Sequence, residues 1–162
     1  MTNTVNDITH DSDLIVICGS NPEEAHPVLG MQVRQAVQRG AKLIIVDPRD
    51  INLTKYADIH LKLKPGTNVA FANGMMNIII ENGWQDQNFI NDRTEGYEAL
   101  AATVKEYTPE RVAEICQINK EDLIAAAEMY AKANAAPIMY CLGVTEHSTG
   151  THGVMSLANL AM

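Results

Sequence analysis

Three polar side chains follow shortly after apolar stretches in the first third of this chain. Asn21 comes after the apolar residues 14–18, and Asp47 and Arg49 come after the mostly apolar residues 42–46. An amide donor at a helix start can hold a phosphate, and a carboxylate can accept the two N–H groups of a guanine edge. A charge-assisted hydrogen bond contributes about 1.5–3 kcal/mol, which is enough to favour guanine over adenine. Guanine nucleotide recognition is one interpretation, and a pair of ordinary solvated turns is the other.

Other residues of these loops modify this interpretation. Arg49 can also reach a phosphate or stack on a base, and Asn68, two residues after Gly66, can contact a nucleotide where the backbone approaches closely. Glu23 and Glu24 oppose an anion at the first helix start, so one of them must face away or meet a donor-rich group. The loop CGSNPEEAHP also lacks the GxGxxG fingerprint, which weakens a simple NAD(P) or FAD interpretation.

Cysteine and histidine form no recognisable catalytic or metal-binding motif in this sequence. The three cysteines stand far apart in apolar surroundings without a CxxC pair, and we expect small core residues at Cys18, Cys116 and Cys141. His147 and His152 are candidates for a general base or a ligand, although neither has a clear partner in sequence. GxSxG, HExxH and P-loop motifs are absent. An iron–sulfur cluster or zinc site in this segment is therefore disfavoured.

Composition and charge argue against several classes of function. The 162 residues carry 12 Lys and Arg against 20 Asp and Glu, a net charge of −8. No basic stripe is available for nucleic acid phosphates or lipid headgroups, so we expect neither nucleic acid nor a membrane as a partner. No stretch approaches the roughly 20 apolar residues of a membrane span, and the polar start MTNTVNDITHDSD lacks an apolar signal core. We expect a cytoplasmic protein.

Apolar runs that end in polar loops predict the elements that position these side chains. We predict buried strands at residues 14–18, 42–46, 59–63 and 137–142. We predict helices at residues 23–39, 69–82, 87–91, 97–106, from 109 onward, 121–132 and 154–162. We expect irregular structure in the polar start and in the loop 143–151.

The alternation of strands and helices predicts an α/β fold. We expect a single Rossmann-like three-layer domain over residues 1–162, with a mostly parallel sheet and helices on both faces. The first β-α-β unit should be right-handed. In an open parallel sheet the loops after the strands gather at the carboxyl edge, where ligands bind at a switch point. We therefore expect one site built from four loops, which begin at Gly19, Asp47, Gly66 and Gly143.

Six segments, in this order, carry a resemblance to a known family. They are DLIVICGSNPEEAHPV, GAKLIIVDPR, YADIHLKLKPGTNVAFANGMMNIII, FINDRTEGYEAL, YTPERVAEI and LGVTEHSTGTHGVMSLANLAM. Together they cover nearly the whole chain and resemble the molybdopterin oxidoreductases, most closely the catalytic (alpha) subunits of molybdenum- or tungsten-dependent formate dehydrogenases. RTEGYE, YTPE and GVTEHSTGT favour formate dehydrogenases over nitrate reductases and complex I-type subunits.

The resemblance implies a domain that binds the guanosine end of one of two molybdopterin guanine dinucleotides (bis-MGD), with molybdenum or tungsten in the full enzyme. Carried over by position, it implies nine cofactor-binding residues: Asn21, Glu24, Val46, Asp47, Arg49, Gly66, Asn68, Leu142 and Glu146. Two of them depart from the family, because Glu24 stands where Asp is expected and Glu146 where Gln is usual. A carboxylate at Glu146 would be unfavourable beside phosphates unless it is protonated or turned away.

The resemblance also implies that this segment does not oxidise formate by itself. The family's metal ligand, a Cys or selenocysteine followed by His, lies before the position of Met1, and its active-site Arg lies after Met162. The cysteines of the amino-terminal iron–sulfur site are also outside this segment. We therefore expect a fragment of a larger catalytic subunit, whose partners are its remaining domains and the electron-transfer subunits.

Three further interpretations stay open from the sequence. The chain could be a domain of another molybdopterin oxidoreductase with a different substrate. It could also be a nucleotide-binding or interaction module without redox chemistry, which Glu146 supports. Self-association is a third option, through apolar surface around residues 154–162.

Overall fold

Four parallel strands form one sheet in the computed structural model, which describes residues 3–162. The strands are β1 (Leu14–Cys18), β2 (Lys42–Val46), β3 (Ile59–Leu61) and β4 (Ile138–Tyr140), in the order β3-β2-β1-β4. β1 pairs in parallel with β2 and β4, and β2 pairs in parallel with β3. The chain passes from β3 to the far side of β1 before it forms β4, so the switch point lies between β1 and β4. This arrangement confirms the predicted α/β fold with a parallel sheet.

Ten α-helices accompany this sheet in the described part of the chain. They are α1 (Val5–His10), α2 (Pro22–Ala25), α3 (Pro27–Gln38), α4 (Asn68–Glu81), α5 (Gln87–Arg93), α6 (Tyr97–Val104), α7 (Pro109–Cys116), α8 (Lys120–Ala131), α9 (Leu142–Thr145) and α10 (Gly150–Ala161). A 3-10 helix covers Asn52–Tyr56. Among residues 3–162, none of the helices combines the length and the apolar character that crossing a membrane requires.

The apolar side chains of β1 and β2 alternate between two cores, one on each face of the sheet. On one face, Val16 and Ile44 pack in a cluster with Phe71 of α4 and with residues of α7, α8 and α10. On the other face, Ile17 and Ile45 pack in a cluster with residues of α3 and the 3-10 helix. Helices therefore cover both faces, which is the arrangement of a Rossmann-like three-layer domain.

The prediction of one helix over residues 23–39 is wrong, because the segment forms two helices. α2 ends at Ala25, and α3 begins with Pro27. Proline has no backbone N–H and disfavours helical backbone at the preceding residue, and His26 accordingly has φ −142° and ψ 70°. The helix that follows Asn21 is therefore only four residues long, and its dipole is weaker than the prediction assumed.

The polar start is helical and not irregular as predicted. Thr4 caps α1, because its hydroxyl accepts from the Asp7 N–H while the Asp7 carboxylate accepts from the Thr4 N–H. Met1 and Thr2, which open the predicted irregular start, lie outside the described residues.

The last two strands and the last loop also differ from the prediction. β3 stops at Leu61, because the Leu63 N–H turns back to the Leu61 carbonyl oxygen over 3.1 Å. β4 spans three residues and gives way to α9 within the loop predicted at 143–151. α10 begins at Gly150 and not at residue 154.

Asp13 joins the start of β1 to the segment that leads into β4. Its carboxylate accepts from the N–H groups of Ala135 and Asn134, both over 2.9 Å, and from Asn134 Nδ2 over 3.0 Å. These hydrogen bonds hold the pKa of Asp13 below its ordinary value of 3.8. Because the folded-state pKa is lowered, the ionised carboxylate stabilises the fold above that ordinary value. The contribution is lost as the pH falls through the lowered pKa.

Asp13→Asn should lower the free energy of unfolding at neutral pH by about 1 kcal/mol, a value reduced by solvent screening of an exposed group. The difference from the unsubstituted protein should shrink as the pH falls from 3.8 through the lowered pKa of the native carboxylate. Urea denaturation at neutral and at acidic pH measures both effects. Asp11→Asn is the matched control, because the Asp11 carboxylate has no hydrogen-bond partner within residues 3–162. A pH-independent difference would contradict this account of Asp13.

Candidate functional site

The loops after β1 and β4 touch at two glycines. The Gly143 N–H donates to the Gly19 carbonyl oxygen over 3.0 Å. A Cβ atom on Gly19 would lie 2.7 Å from the Gly143 carbonyl carbon, and one on Gly143 would lie 2.7 Å from Gly19 Cα. Gly19 also has a φ of +57°, a backbone conformation that residues with side chains rarely adopt. Glycine at both positions therefore lets the two loops meet backbone to backbone at the switch point.

Asn68 connects the start of α4 to this glycine contact. Asn68 Nδ2 donates to the Gly143 carbonyl oxygen over 3.3 Å, and His147 Nε2 lies 3.1 Å from the same oxygen. The loop after β2 is connected as well, because the Gly19 N–H donates to the Val46 carbonyl oxygen over 2.8 Å. The structure thus brings the four loops together at the carboxyl edge of the sheet. His147, which has no evident partner in the sequence, fastens the last of these loops.

Asp47 is buried at the tip of β2 and is bound by Arg49. Asp47 Oδ1 accepts from the Arg49 N–H over 2.9 Å and from Nε over 3.1 Å, and Oδ2 accepts from Nη2 over 3.3 Å. The Asp47 side chain is 3% exposed, whereas that of Arg49 is 62% exposed. The hydrogen bonds and charge of Asp47 raise the pKa of Arg49, and the charge of Glu24 adds a smaller contribution. Arg49 therefore covers Asp47, with Glu24 near enough to act on the same guanidinium.

Asp47 keeps capacity for a further donor in this arrangement. A carboxylate has about four lone-pair positions, and Arg49 occupies three of them. Because the Asp47 carboxylate is buried, a ligand that displaces the guanidinium must supply hydrogen-bond donors of its own to that carboxylate. The Asp47 charge acts on the buried interior too, because it adds to the effect of burial in raising the pKa of the Cys18 thiol to about 12.

Asn21 presents an acceptor without a partner. Its side-chain Oδ1 is buried and has no hydrogen bond to any atom of residues 3–162. A buried acceptor left unpaired costs about 1–3 kcal/mol, so such an atom usually meets a water or a bound group. This acceptor suits a hydroxyl or amino donor, whereas the Nδ2 of the same amide is the donor on which the predicted phosphate contact depends. The unpaired oxygen therefore also suits a sugar or base contact, and the phosphate contact stays a prediction.

The remaining candidates lie around this edge with fewer contacts. Val46 is buried in the core, so only its backbone reaches the edge, where its carbonyl accepts from Gly19. Gly66 has a φ of +89° and open space around its Cα. Leu142 is 59% exposed, and the exposed Glu146 carboxylate has no hydrogen-bond partner in the described part of the chain.

His60 is a residue of this edge that the sequence did not single out. Its Nε2 lies 3.0 Å from the Asp47 carbonyl oxygen. The sequence pattern that could have identified it is IHLKL, in which successive side chains of a strand alternate between the two faces of the sheet. His60 therefore lies on the face opposite to Ile59 and Leu61, which pack in the core. His60 meets the loop after β2 because β3 is the neighbour of β2 in the sheet. The order of the strands could not be read from the sequence, so this contact could not be predicted.

The cysteines agree in part with the expectation of small core residues. Cys18 and Cys116 are fully buried, whereas Cys141 is half-buried just before α9, and all three are free thiols. Within residues 3–162, no group of three or more His, Cys, Asp and Glu side chains is arranged to hold a metal ion.

Two cavities of the protein lie away from the carboxyl edge. One of about 490 Å³ lies between the ends of α4, α8 and α10 and is lined by Trp84 and Tyr97. The other, of about 480 Å³, lies near Asp13 and Lys42 at the opposite edge of the sheet. None of the nine candidate residues lines either cavity. Arg49, Leu142 and Glu146 are exposed, so the candidate site is an open edge.

A parallel sheet of order β3-β2-β1-β4, with polar loops meeting at its switch point, defines a Rossmann-like α/β domain with a candidate site at that point. The chain belongs to the molybdopterin oxidoreductase family, because the family model described as Molybdopterin oxidoreductase matches residues 1–162. This finding confirms the family that the six sequence segments indicated.

Formate dehydrogenase subunits are among the proteins most similar to this chain. It is 44% identical to F420-dependent formate dehydrogenase 1 subunit alpha of Methanococcus maripaludis and 41% identical to formate dehydrogenase H of Escherichia coli, over 162 residues in both cases. The whole chain is matched, but it spans only 24% and 22% of those two proteins. This chain is therefore a molybdopterin oxidoreductase domain related to formate dehydrogenases.

A solved structure of the same fold is acetylene hydratase from Pelobacter acetylenicus. The two superpose with a TM-score of 0.87 at 29% sequence identity. The match covers 96% of this chain and 23% of that one. The fold predicted from the strand and helix pattern is thus also found in this solved structure.

Proposed function

We propose that this domain holds the guanosine end of a molybdopterin guanine dinucleotide within the catalytic subunit of a formate dehydrogenase. The observation that carries the proposal is the meeting of the loops at the switch point, where Gly19 touches Gly143 and also binds the carbonyl of Val46, the residue before the buried Asp47. Similarity to formate dehydrogenase subunits supports the choice of enzyme.

The residues at this edge fit a guanosine by their donor and acceptor types. Guanine presents two neighbouring N–H donors, and a ribose presents hydroxyl donors. Asp47 Oδ2 and the unpartnered Asn21 Oδ1 are both acceptors. A side chain at Gly19 or Gly143 would push the two loops apart, so glycine at both positions keeps the site assembled.

Each residue has a separate task in this proposal. Asp47 accepts from the base edge, while Asn21 accepts from the sugar or base. Asn68 keeps the loop after β4 in place through Gly143, and Arg49 moves from Asp47 toward Glu24 or the solvent as the base binds. The bound cofactor supplies the metal centre through which formate and carbon dioxide are interconverted.

The exposed Glu146 carboxylate does not take a direct role in this proposal. It points into solvent without a partner within residues 3–162, which agrees with a carboxylate turned away from the phosphates. We expect no formate oxidation by the 162 residues alone, because the resemblance assigns the metal ligand and the active-site arginine to other segments. The remaining domains and the electron-transfer subunits are the proposed partners.

A second candidate is the same guanosine-holding role in a molybdopterin enzyme with another substrate. The close superposition on acetylene hydratase favours keeping it, because that enzyme has this fold at 29% identity. Both candidates place the guanosine at the same edge. A third possibility, a nucleotide-binding module without redox chemistry, would also bind guanosine there.

The proposal predicts that guanine nucleotides perturb this edge more than adenine nucleotides do. In titrations of the isotope-labelled 162-residue chain, GMP should shift the backbone amide signals of Asp47 and Asn68, and AMP should shift them much less. The amide of Glu128, which lines the cavity at the opposite edge, is the internal control. Millimolar affinity is expected, because an open edge encloses little of the ligand. Equal shifts from GMP and AMP would overturn the proposal.

A further inference from the structure

His60 lies between two core residues but faces the loop after β2. Ile59 and Leu61 pack in the core on the α4 side of the sheet, so His60 between them faces the opposite side. Its side chain is 16% exposed, and its Nε2 is 3.0 Å from the Asp47 carbonyl oxygen. Because a carbonyl only accepts, the ring carries its proton on Nε2 in this contact.

The loop after β2 is also held by Lys62. Lys62 Nζ lies 2.7 Å from Asp50 Oδ1, whereas His60 Nδ1 is 3.7 Å from the same oxygen, too far for a hydrogen bond. Asp50 belongs to the loop after β2, and Lys62 follows directly after β3. Two contacts therefore connect this loop to the β3 segment, one from the His60 imidazole and one from Lys62.

All the hydrogen-bonding groups of Asp47 have partners from β3 or from Arg49. Its N–H donates to the Leu61 carbonyl oxygen over 3.2 Å, its carbonyl accepts from His60, and its carboxylate accepts from Arg49. The next residue is Pro48, which has no N–H, so the peptide that joins them can be held only through the Asp47 carbonyl oxygen. His60 thus fixes the plane of that peptide and, through it, the position of Arg49.

We propose that His60 is a positioning residue for guanosine recognition. It does not touch the ligand itself; it holds the peptide after Asp47 so that the carboxylate presents its free position to the base. This inference rests on the proposed function, because it assigns a residue to the same site. Nothing in the family resemblance set out above named this residue.

The test compares three chains: the unsubstituted protein, His60→Gln and His60→Leu. A glutamine Nε2 can donate to the Asp47 carbonyl oxygen as the histidine does, whereas leucine fills the space without a donor. We expect the Arg49 amide, which is bonded to Asp47 Oδ1, to exchange its hydrogen about fivefold faster in His60→Leu. The affinity for GMP should fall by about the same factor, with the weak AMP affinity unchanged. His60→Gln should restore both values to within about twofold.

The outcomes separate this inference from the proposed function. Unchanged Arg49 exchange and GMP affinity in His60→Leu would overturn the positioning role, and so would a His60→Gln chain that behaves like His60→Leu. If the unsubstituted chain binds GMP and AMP equally, the proposed function fails. The exchange rates still show in that case whether His60 holds the loop.

Discussion

Gly19→Ala should lower the free energy of unfolding by about 2–5 kcal/mol. Gly19 has a φ of +57°, which is left-handed backbone. This conformation destabilises a residue that has a Cβ by about 1–2 kcal/mol. Overpacking adds about 1–3 kcal/mol, because the new Cβ would lie 2.7 Å from the Gly143 carbonyl carbon. The atoms it meets are backbone, which cannot turn away as a flexible side chain can. Urea denaturation followed by circular dichroism measures the change.

Gly83→Ala is the matched control for this prediction. Gly83 has a φ of +67°, close to that of Gly19, but an added Cβ there would meet no atom within 4 Å. Its substitution should therefore cost only the backbone contribution of about 1–2 kcal/mol. Equal losses in the two variants would show that the approach of Gly19 to Gly143 adds nothing to stability. The reciprocal variant, Gly143→Ala, would meet Gly19 at 2.7 Å and should also be destabilised.

The central strands could be predicted from the sequence because both of their faces are buried. The runs at 14–18 and 43–46 are continuously apolar and rich in Ile and Val, and the predicted strands 14–18 and 42–46 have the same bounds as β1 and β2. For β3 and β4, the predicted strands were longer than those in the structure. At β3, the turn at Leu63 ends the pairing while the apolar alternation continues. An apolar pattern thus records burial, and the hydrogen bonds decide where a strand stops.

Contacts between distant segments could not be predicted in this way. The sequence indicated that Gly19 and Gly143 each begin a loop, but not that these glycines, which are 124 positions apart by the difference between their numbers, touch each other. The Asp47 and Arg49 side chains were each assigned to a ligand, whereas in the structure they bind each other. Asp47 and Arg49 are separated only by Pro48, which is close enough for their side chains to form an ion pair. This short spacing is the sequence feature from which the ion pair could have been predicted.

Asp47→Asn should abolish most of the preference for guanine nucleotides. The substitution keeps one oxygen, which can still accept from the Arg49 N–H, so the loop should keep its shape. The other oxygen becomes an amino group, which would face the N–H donors of guanine. Losing a charge-assisted hydrogen bond of about 1.5–3 kcal/mol corresponds to a decrease in GMP affinity of about ten- to hundredfold. AMP affinity should change little, since adenine lacks the paired donors that the carboxylate accepts.

Asp122→Asn is the control that separates this contact from a change in net charge. Asp122 is an exposed residue in the first turn of α8, and its substitution removes the same single negative charge. Each substitution removes one negative charge that repels an anionic nucleotide. If this change in net charge were the main effect, both variants would bind GMP and AMP more tightly. If Asp47 recognises the base, only Asp47→Asn loses affinity, and it loses it for GMP alone. If Asp47→Asn still prefers GMP, the Asp47 carboxylate does not recognise the base. Asn21 or the backbone at the Gly19–Gly143 contact would then be the group that does.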